Sequence, residues 1–393
     1  MSVIAAAAED LEAGKHTRLS DLLFLCTLSD DLVPAGEKAT VKADLMKGIK
    51  QYKMTIFYQH CCTTLGWPTD AALVSSLSAD NKTELDALEV ALTAATDGES
   101  ELEIMDAHTA KADFLYRIGY KDEAIAAVTE ALGLKHASTG QKIDLELKII
   151  KVALFHFDTE LLREHIALAK TLVENGGDWD RRNRLKIYEG AYQMMTRDFA
   201  GAAENFLSSI ATFTSYEVMD YKQFIQRTVF LALHVLPRAD LKKKVINSPD
   251  VRQVIREMPD VKSFVDALYE CDYNKYSSSL VACSDAITRD RLMGGHVNYY
   301  VKQMRIKAYN QFLESYKSVT IESMATAFGV SVDFIDAELF RFISLGRLSA
   351  KIDKTAGIIE TNRPDAKNAQ YQEVIKHGDA LLNQIQRLAR VVN

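Results

Sequence analysis

The chain has 393 residues, of which 48% are hydrophobic and 26% charged, a balance typical of a globular protein and not of a disordered one. Six prolines and 18 glycines are too few for an all-β protein that turns about every ten residues, so we expect helix to dominate. The formal net charge of -7 argues against a general nucleic-acid-binding protein, whose domains are usually basic.

Cysteine usage and hydropathy indicate the compartment. The five cysteines are odd in number and unevenly spread, so we interpret them as reduced, mostly buried thiols. The N-terminal alanine run contains Glu9, Asp10 and Glu12, which is not typical of a signal peptide. The longest apolar stretch, Thr228–Leu236, is much shorter than the roughly 18 residues of a membrane span. We therefore expect a protein of the cytoplasm and nucleus that binds no membrane.

Residues 1–100 are predicted to form an N-terminal helical region. From Lys42 to about Ala95, apolar residues recur at three- and four-residue steps, as in amphipathic helices. Trp67-Pro68 is expected to end one helix, and Thr83-Glu84 to begin an acidic one. Nothing else in this region indicates a role.

Residues 101–300 are predicted to contain helical repeats and a neck. Small and apolar residues around Gly119 and Ala124 are spaced as in a pair of helices, the first of which ends at Gly119. The second half of the pattern recurs at Ala202, 78 residues after Ala124, or two repeats of about 39 residues. Leu145–Val173 supplies the intervening pair. The predicted fold class is mostly α, a TPR-like right-handed helical-repeat solenoid, although the spacing also fits the helices of an ordinary bundle.

Residues 301–366 are predicted to form a winged-helix module. Thr320 is expected to cap a short helix, and Gly329 to turn the chain into a second helix from about Val332 to Leu345. Alternating apolar residues, a turn and Ile358-Ile359 then predict a two-stranded wing. The wing residues that we predict to contact partners are Leu348, Ala350 and Ile352.

The second helix of a winged helix often binds DNA. Here it carries Asp333, Asp336 and Glu338 against Arg341, a net charge of -2 that would repel phosphates. We therefore predict no nucleic-acid binding by this helix. An unpaired strand edge and an uncovered apolar stripe are better suited to protein contacts.

Residues 367–393 are predicted to form a long helix with a continuous apolar stripe. Little chain is left to cover this stripe, so we predict that other proteins cover it; the alternative is that it folds back on the winged helix. The partner-binding residues predicted here are Leu381, Leu382, Ile385, Leu388 and Val391.

No arrangement of residues predicts catalysis. Gly14-Lys15-His16-Thr17 resembles the end of a phosphate-binding loop, but Glu9 stands where the first glycine is required. His60 beside Cys61 and Cys62 suggests a metal site only weakly, because neighbouring cysteines on a helix point apart. We predict no catalytic residue, no metal and no cofactor, and hence no enzyme.

Several long and uncommon strings nevertheless resemble a known family. The likeness spans roughly Ala110 to Asn393, and the first hundred residues share only the helical pattern. The strings are Gly176–Lys186, Phe213–Glu217, Met219–Tyr221, Leu268–Cys271 and Glu360–Asp365. In these strings the chain resembles the PCI-domain subunits of the proteasome regulatory-particle lid, and among them the family of the seventh non-ATPase subunit.

This resemblance implies a scaffold that catalyses nothing. PCI subunits join through their winged-helix modules into an arc, and their C-terminal helices gather in a bundle. The implied partners are the other lid PCI subunits and the lid deubiquitinase, whose histidine-rich zinc motif this chain lacks. The base ATPases are a further candidate. The chain would then be part of a hetero-oligomer. Alternatives are the similar first subunit of the COP9 signalosome and, in another class, a nucleic-acid-binding PCI subunit of translation initiation.

Overall fold

The computed structural model describes residues 3–98, 100–134, 137–362 and 366–392, and most of them are helical, which confirms the mostly α fold class. They form two compact units. Unit 1 comprises Met1–Val265 and Val281–Tyr300, and unit 2 comprises Asp266–Leu280 and Val301–Asn393. The four domains predicted from the sequence, residues 1–100, 101–300, 301–366 and 367–393, stay a prediction.

Unit 1 begins with four helices whose apolar faces pack together. They are α1 (Val3–Thr27), α2 (Ala35–Tyr52), α3 (Thr55–Leu65) and α4 (Ala71–Asp97). Leu45, Ile49, Met54 and Cys61 are completely buried where α1, α2 and α3 meet. Since burying one large apolar side chain contributes about 1.5–3 kcal/mol, this cluster is a substantial source of stability.

The start predicted at Thr83-Glu84 is wrong. Both residues lie inside α4, which begins after Asp70, whose carboxylate accepts from two free backbone N–H groups. Thr83 suggests a cap from sequence, but its hydroxyl donates to the backbone oxygen of Asp80, within the helix. Trp67-Pro68 does lie in the break between α3 and α4, as predicted.

Three stacked helix pairs follow, which confirms the predicted helical repeat. The pairs are α5 (Glu101–Ile118) with α6 (Lys121–Leu132), α7 (Thr139–His156) with α8 (Thr159–Glu174), and α9 (Trp179–Met195) with α10 (Phe199–Ser209). Gly119 ends α5 with a φ of 87°, a conformation that glycine adopts without strain. Ala124, Ala169 and Ala202 are completely buried in α6, α8 and α10, where small residues let helices approach closely.

Further helices of varied length continue the chain beyond the repeats. These are α11 (Tyr221–Val235), α12 (Arg238–Leu241), α13 (Pro249–Ile255), α14 (Pro259–Glu270), α15 (Tyr273–Thr288) and α16 (Val297–Leu313). Pro249 and Pro259 each occupy the first position of a helix, where the N–H that proline lacks would have no intrahelical acceptor. In the described residues, no helix combines the length and apolarity that crossing a bilayer requires.

Unit 2 contains the predicted helix-turn-helix and wing. Its elements include β1 (Ser318–Thr320), α17 (Ile321–Phe328), α18 (Val332–Ser344), β2 (Ala350–Asp353), β3 (Ile358–Thr361) and α19 (Ala366–Val392). The Thr320 hydroxyl accepts from the Ser323 N–H at 3.2 Å, so the predicted cap is confirmed.

The wing has three strands where the sequence predicted two. The strand order is β1-β3-β2 with antiparallel pairing throughout, and β1 pairs Val319 with Ile359. A strand of three residues is too short to show alternation, and its partner β3 is distant in sequence. The pairing that makes Ser318–Thr320 a strand was therefore not visible in the sequence.

Four of the cysteines, Cys26, Cys61, Cys62 and Cys283, are buried, and all five are free thiols, as predicted. Burial raises the pKa of the Cys61 and Cys283 thiols to about 12, so both stay protonated at neutral pH.

A buried ion pair ties α11 to the segment that follows α15. The Arg227 guanidinium donates to both carboxylate oxygens of Asp290 at 2.7 and 3.1 Å, and its side chain is only 5% exposed. The Asp290 carboxylate also accepts from the Leu292 N–H at 2.8 Å. Such a pair costs desolvation to form, but removing one partner leaves a buried charge unpaired.

We therefore expect Arg227→Met to lower the free energy of unfolding by about 3–5 kcal/mol. Lys222→Met, on the same helix, is the matched control, because Lys222 pairs with Glu257 at 3.2 Å at the surface and should cost less than about 1 kcal/mol. Urea unfolding followed by circular dichroism measures both. Equal losses in the two variants would contradict this account.

The buried His16 predicts acid sensitivity. Burial lowers the His16 pKa to about 3, against the usual 6.5, so the folded chain holds a neutral imidazole while the unfolded chain takes up a proton below pH 6.5. Its contribution to stability is complete above pH 6.5 and is lost as the pH falls towards 3. Burial lowers the His156 pKa in the same direction, to about 4.

Between pH 7 and pH 5, we expect His16 alone to reduce the free energy of unfolding by about 2 kcal/mol. Urea unfolding at several pH values measures this slope. His16→Gln, which cannot be protonated in this range, should flatten the slope by that amount even if it lowers stability overall. An unchanged slope in the variant would show that His16 is not the group responsible.

Candidate protein-interaction surface

The apolar stripe of α19 is exposed along its whole described length. With Gly378 included, its positions follow three- and four-residue steps along one face, and each apolar member is between 55% and 68% exposed. They are Tyr371, Val374, Ile375, Leu381, Leu382, Ile385 and Leu388. Val391 belongs to the same helix, but its side chain lies outside the described residues.

This stripe has the properties of a helix that packs against other helices. Contiguous exposed apolar patches are rare on soluble monomers and usually mark binding surfaces. The alternative that the stripe folds back on the winged helix does not agree with the exposure of Leu381, Leu382, Ile385 and Leu388. These four predicted residues are thus available to a partner, and their contact with one stays a prediction.

The wing residues predicted to contact partners are less exposed than those of α19. Leu348 and Ala350 are 3% and 6% exposed, so both side chains belong to the module's own core, and Ile352 is half-buried. Their predicted role as direct partner contacts therefore needs correction for Leu348 and Ala350. Alternation predicted that the three residues share one face, but only the packing decides that Leu348, which precedes β2, and Ala350 turn inward.

Helix α18 exposes apolar side chains that the sequence reasoning did not single out. Ile335, Leu339 and Phe342 are buried at i, i+4 and i+7, whereas Phe340 lies one position off that stripe and is 64% exposed. Leu345, just after the helix, is 56% exposed. The sequence could have shown this, because successive residues of a helix point about 100° apart. Phe340 follows the buried Leu339 and therefore lies off the buried stripe.

Two acidic residues of α18 are held by cations of the same unit. Glu338 pairs with Arg305 at 2.6 Å and accepts from the Tyr309 hydroxyl at 2.9 Å. Burial and this carboxylate raise the Tyr309 pKa, so the phenol stays a donor. Asp336 pairs with Lys354 of the wing at 3.1 Å. Within unit 2, these carboxylates join α16, α18 and the wing.

A helix-turn-helix with a three-stranded wing and a long exposed C-terminal helix defines the class of protein. Residues 273–363 match the model of the PCI domain, so this is a PCI-domain protein. Residues 70–244 match the model described as 26S proteasome subunit RPN7, and residues 370–392 match that of the RPN7/PSMD6 C-terminal helix.

Full-length relatives identify the family. The chain is 44% identical to the Arabidopsis thaliana "26S proteasome non-ATPase regulatory subunit 6 homolog", covering 96% of this chain and 97% of that one. It is 43% identical to the Dictyostelium discoideum "26S proteasome non-ATPase regulatory subunit 6", covering 95% and 97%. The chain belongs to this family of 26S proteasome regulatory subunits, which confirms the resemblance and extends it into the first hundred residues.

The likeness to the COP9 signalosome is weaker. The chain is 30% identical to the Arabidopsis thaliana "COP9 signalosome complex subunit 1", covering only 38% of this chain and 34% of that one. This match covers little more than a third of either chain, whereas the proteasome relatives match nearly end to end.

The burial of Leu348 generates a prediction for the wing. Leu348→Ala should destabilise unit 2 by about 2–5 kcal/mol, because it leaves a cavity in a packed core. Ile352→Ala, at a half-buried position of the same wing, should cost less than half as much. Hydrogen exchange of the β2 and β3 amides measures both, and a larger effect at Ile352 would reverse the assignment of these two side chains.

Proposed function

We propose that the chain is a non-catalytic scaffold subunit of the regulatory-particle lid of the 26S proteasome. In this role it supports ubiquitin-dependent protein degradation by holding other PCI subunits and the lid deubiquitinase in a hetero-oligomer, in cytoplasm and nucleus. Relatives that match over nearly the whole chain are named as non-ATPase regulatory subunits of the 26S proteasome, which supports a regulatory role without ATP hydrolysis.

The exposed stripe of α19 is the observation that carries this proposal. Leu381, Leu382, Ile385 and Leu388 are all more than half exposed, and each would contribute roughly 1 kcal/mol or more if a neighbouring helix buried it. A helix stripe of this kind fits side-by-side packing with amphipathic helices of other subunits. The exposed Phe340 of α18 offers a second apolar contact within the same module.

We expect Ile385→Asp to block incorporation of a tagged chain into the proteasome, because a charge at the centre of the stripe would be buried unpaired in the complex. The yield of co-purified lid subunits should fall about tenfold or more, measured by native mass spectrometry after affinity purification. Since Ile385 is 55% exposed in the single chain, the thermal stability of the isolated variant should stay unchanged.

Asn383→Asp is the matched control. It adds the same charge to the same helix, on the face opposite the stripe, and should leave incorporation intact. Deleting Gln370 to Asn393 should reproduce the Ile385→Asp result with unit 1 still folded. Normal incorporation of either the Ile385→Asp chain or the truncated chain would overturn the role assigned to α19.

A further inference from the structure

A cleft of about 720 Å³ lies within unit 1, where α5, α7 and α9 lie side by side near α1. Its volume falls in the range of about 300–1,000 Å³ that is usual for ligand sites. None of the residues that line it belongs to α18, the wing or α19. The cleft therefore plays no part in the interaction surface proposed above.

His16 lies in the floor of this cleft with one ring nitrogen unused. Its Nε2 lies 3.1 Å from the backbone oxygen of Arg117, and a carbonyl can only accept, so Nε2 carries the proton. Nδ1 is then a bare acceptor, and it has no hydrogen-bond partner although the side chain is almost entirely buried. A buried polar atom left unpaired costs about 1–3 kcal/mol, which a ligand donor would recover.

Lys151 supplies a cation that contacts the same aromatic ring as His16. Its Nζ lies 5.0 Å from the centre of the Tyr116 ring, and the His16 ring lies 4.5 Å from the same ring. The nearest carboxylate, Glu217, is 3.7 Å away, beyond hydrogen-bonding distance. Lys151 thus forms an ion pair with Glu217 at a distance that leaves its ammonium hydrogens available to a ligand anion in the cleft.

Glu217 is already engaged by other groups. Its Oε1 accepts from Arg184 at 2.7 Å and from the Tyr188 hydroxyl at 2.8 Å, and the side chain is 6% exposed. One carboxylate therefore faces two cations, Arg184 and Lys151. The floor of the cleft carries local positive charge even though the cleft as a whole is lined by as many carboxylates as cations.

The remaining charges form pairs along the walls. Lys148 lies 2.6 Å from Asp113, which joins α7 to α5, and Arg181 donates to both oxygens of Asp144 at 2.9 and 2.7 Å, which joins α9 to α7. Asp178 lies 3.5 Å from Arg181. These pairs offer polar groups of both signs across three neighbouring helices.

We propose that this cleft binds the free carboxyl end of a partner polypeptide, with the terminal carboxylate on Lys151 and the adjacent backbone N–H on Nδ1 of His16. The cation of Lys151 requires an anion, and the acceptor Nδ1 of His16 requires a donor. The end of a polypeptide carries both, since its carboxylate is adjacent to a backbone N–H. Three helices spaced about 8–10 Å apart span about 20 Å, which accommodates about five or six extended residues. The residues before the terminus would lie along the ion pairs of the walls.

The test is a titration of the full chain, carrying ¹⁵N-labelled histidine, with acetyl-pentaalanine bearing a free carboxyl end. Saturable movement of the His16 Nδ1 resonance is expected, and the same peptide with an amidated end should bind about tenfold more weakly or not at all. Equal binding of the two peptides, or no movement with either, would overturn the proposal.

N-acetylalanine separates a polypeptide end from a small carboxylate, because it has the same anion and N–H without the extended chain. We expect the pentapeptide to bind more tightly than N-acetylalanine, and equal affinities would show that the site takes a small acid instead. Failure of this experiment would leave the scaffold role untouched, since that role is tested through Ile385 and α19.

Variants isolate the cation. Lys151→Met should weaken binding about tenfold or more, and Lys151→Arg should restore most of it. Lys170→Met is the matched control, because Lys170 pairs with Glu189 at 2.6 Å outside the cleft. A thermal melt confirms that each variant is folded, and unchanged affinity in a folded Lys151→Met chain would refute the assigned role.

Discussion

The structure of unit 1 depends on three consecutive charged residues that follow α15. Asp290 holds the buried Arg227 of α11, Arg291 pairs with Asp21 of α1 at 2.7 Å, and Arg289 reaches a carboxylate of α2 at 3.1 Å. The sequence separations are 63, 270 and 252 residues. Because the buried charges of Arg227 and Arg291 are costly unless their partners are in place, the beginning of the chain and the segment after α15 are fixed together.

These ion pairs also anchor the helical repeats to the rest of unit 1. Neighbouring helices of α5 to α10 pack mainly in chain order, and an array of that kind has no long-range contacts of its own to stop it from fraying. Arg291 supplies such contacts, since it also donates to the backbone oxygens of Leu154 and Phe155 at the end of α7. The cleft that contains His16 lies in the part of unit 1 stabilised in this way.

Unit 2 combines a packed core with a helix whose apolar stripe is exposed. Ile335, Leu339, Phe342 and Leu348 complete its core, so the helix-turn-helix and wing are packed without help from another protein. Helix α19 has no such core, and its stripe of exposed leucine and isoleucine side chains has the pattern of a helix that is buried in an assembly. Membership of a family of proteasome regulatory subunits agrees with a helix whose apolar stripe packs against another subunit.

The sequence by itself determined the helix pairs, the Thr320 cap, the α19 stripe and the family, because periodicity, capping and uncommon strings are local properties. Only the tertiary structure decided the rest. β1 exists because β3 pairs with it, Leu348 is buried because it packs into the core of unit 2, and the cleft forms because His16 meets residues about a hundred positions away. Such contacts join residues that are distant in the chain, and a repeating pattern within one segment carries no information about them.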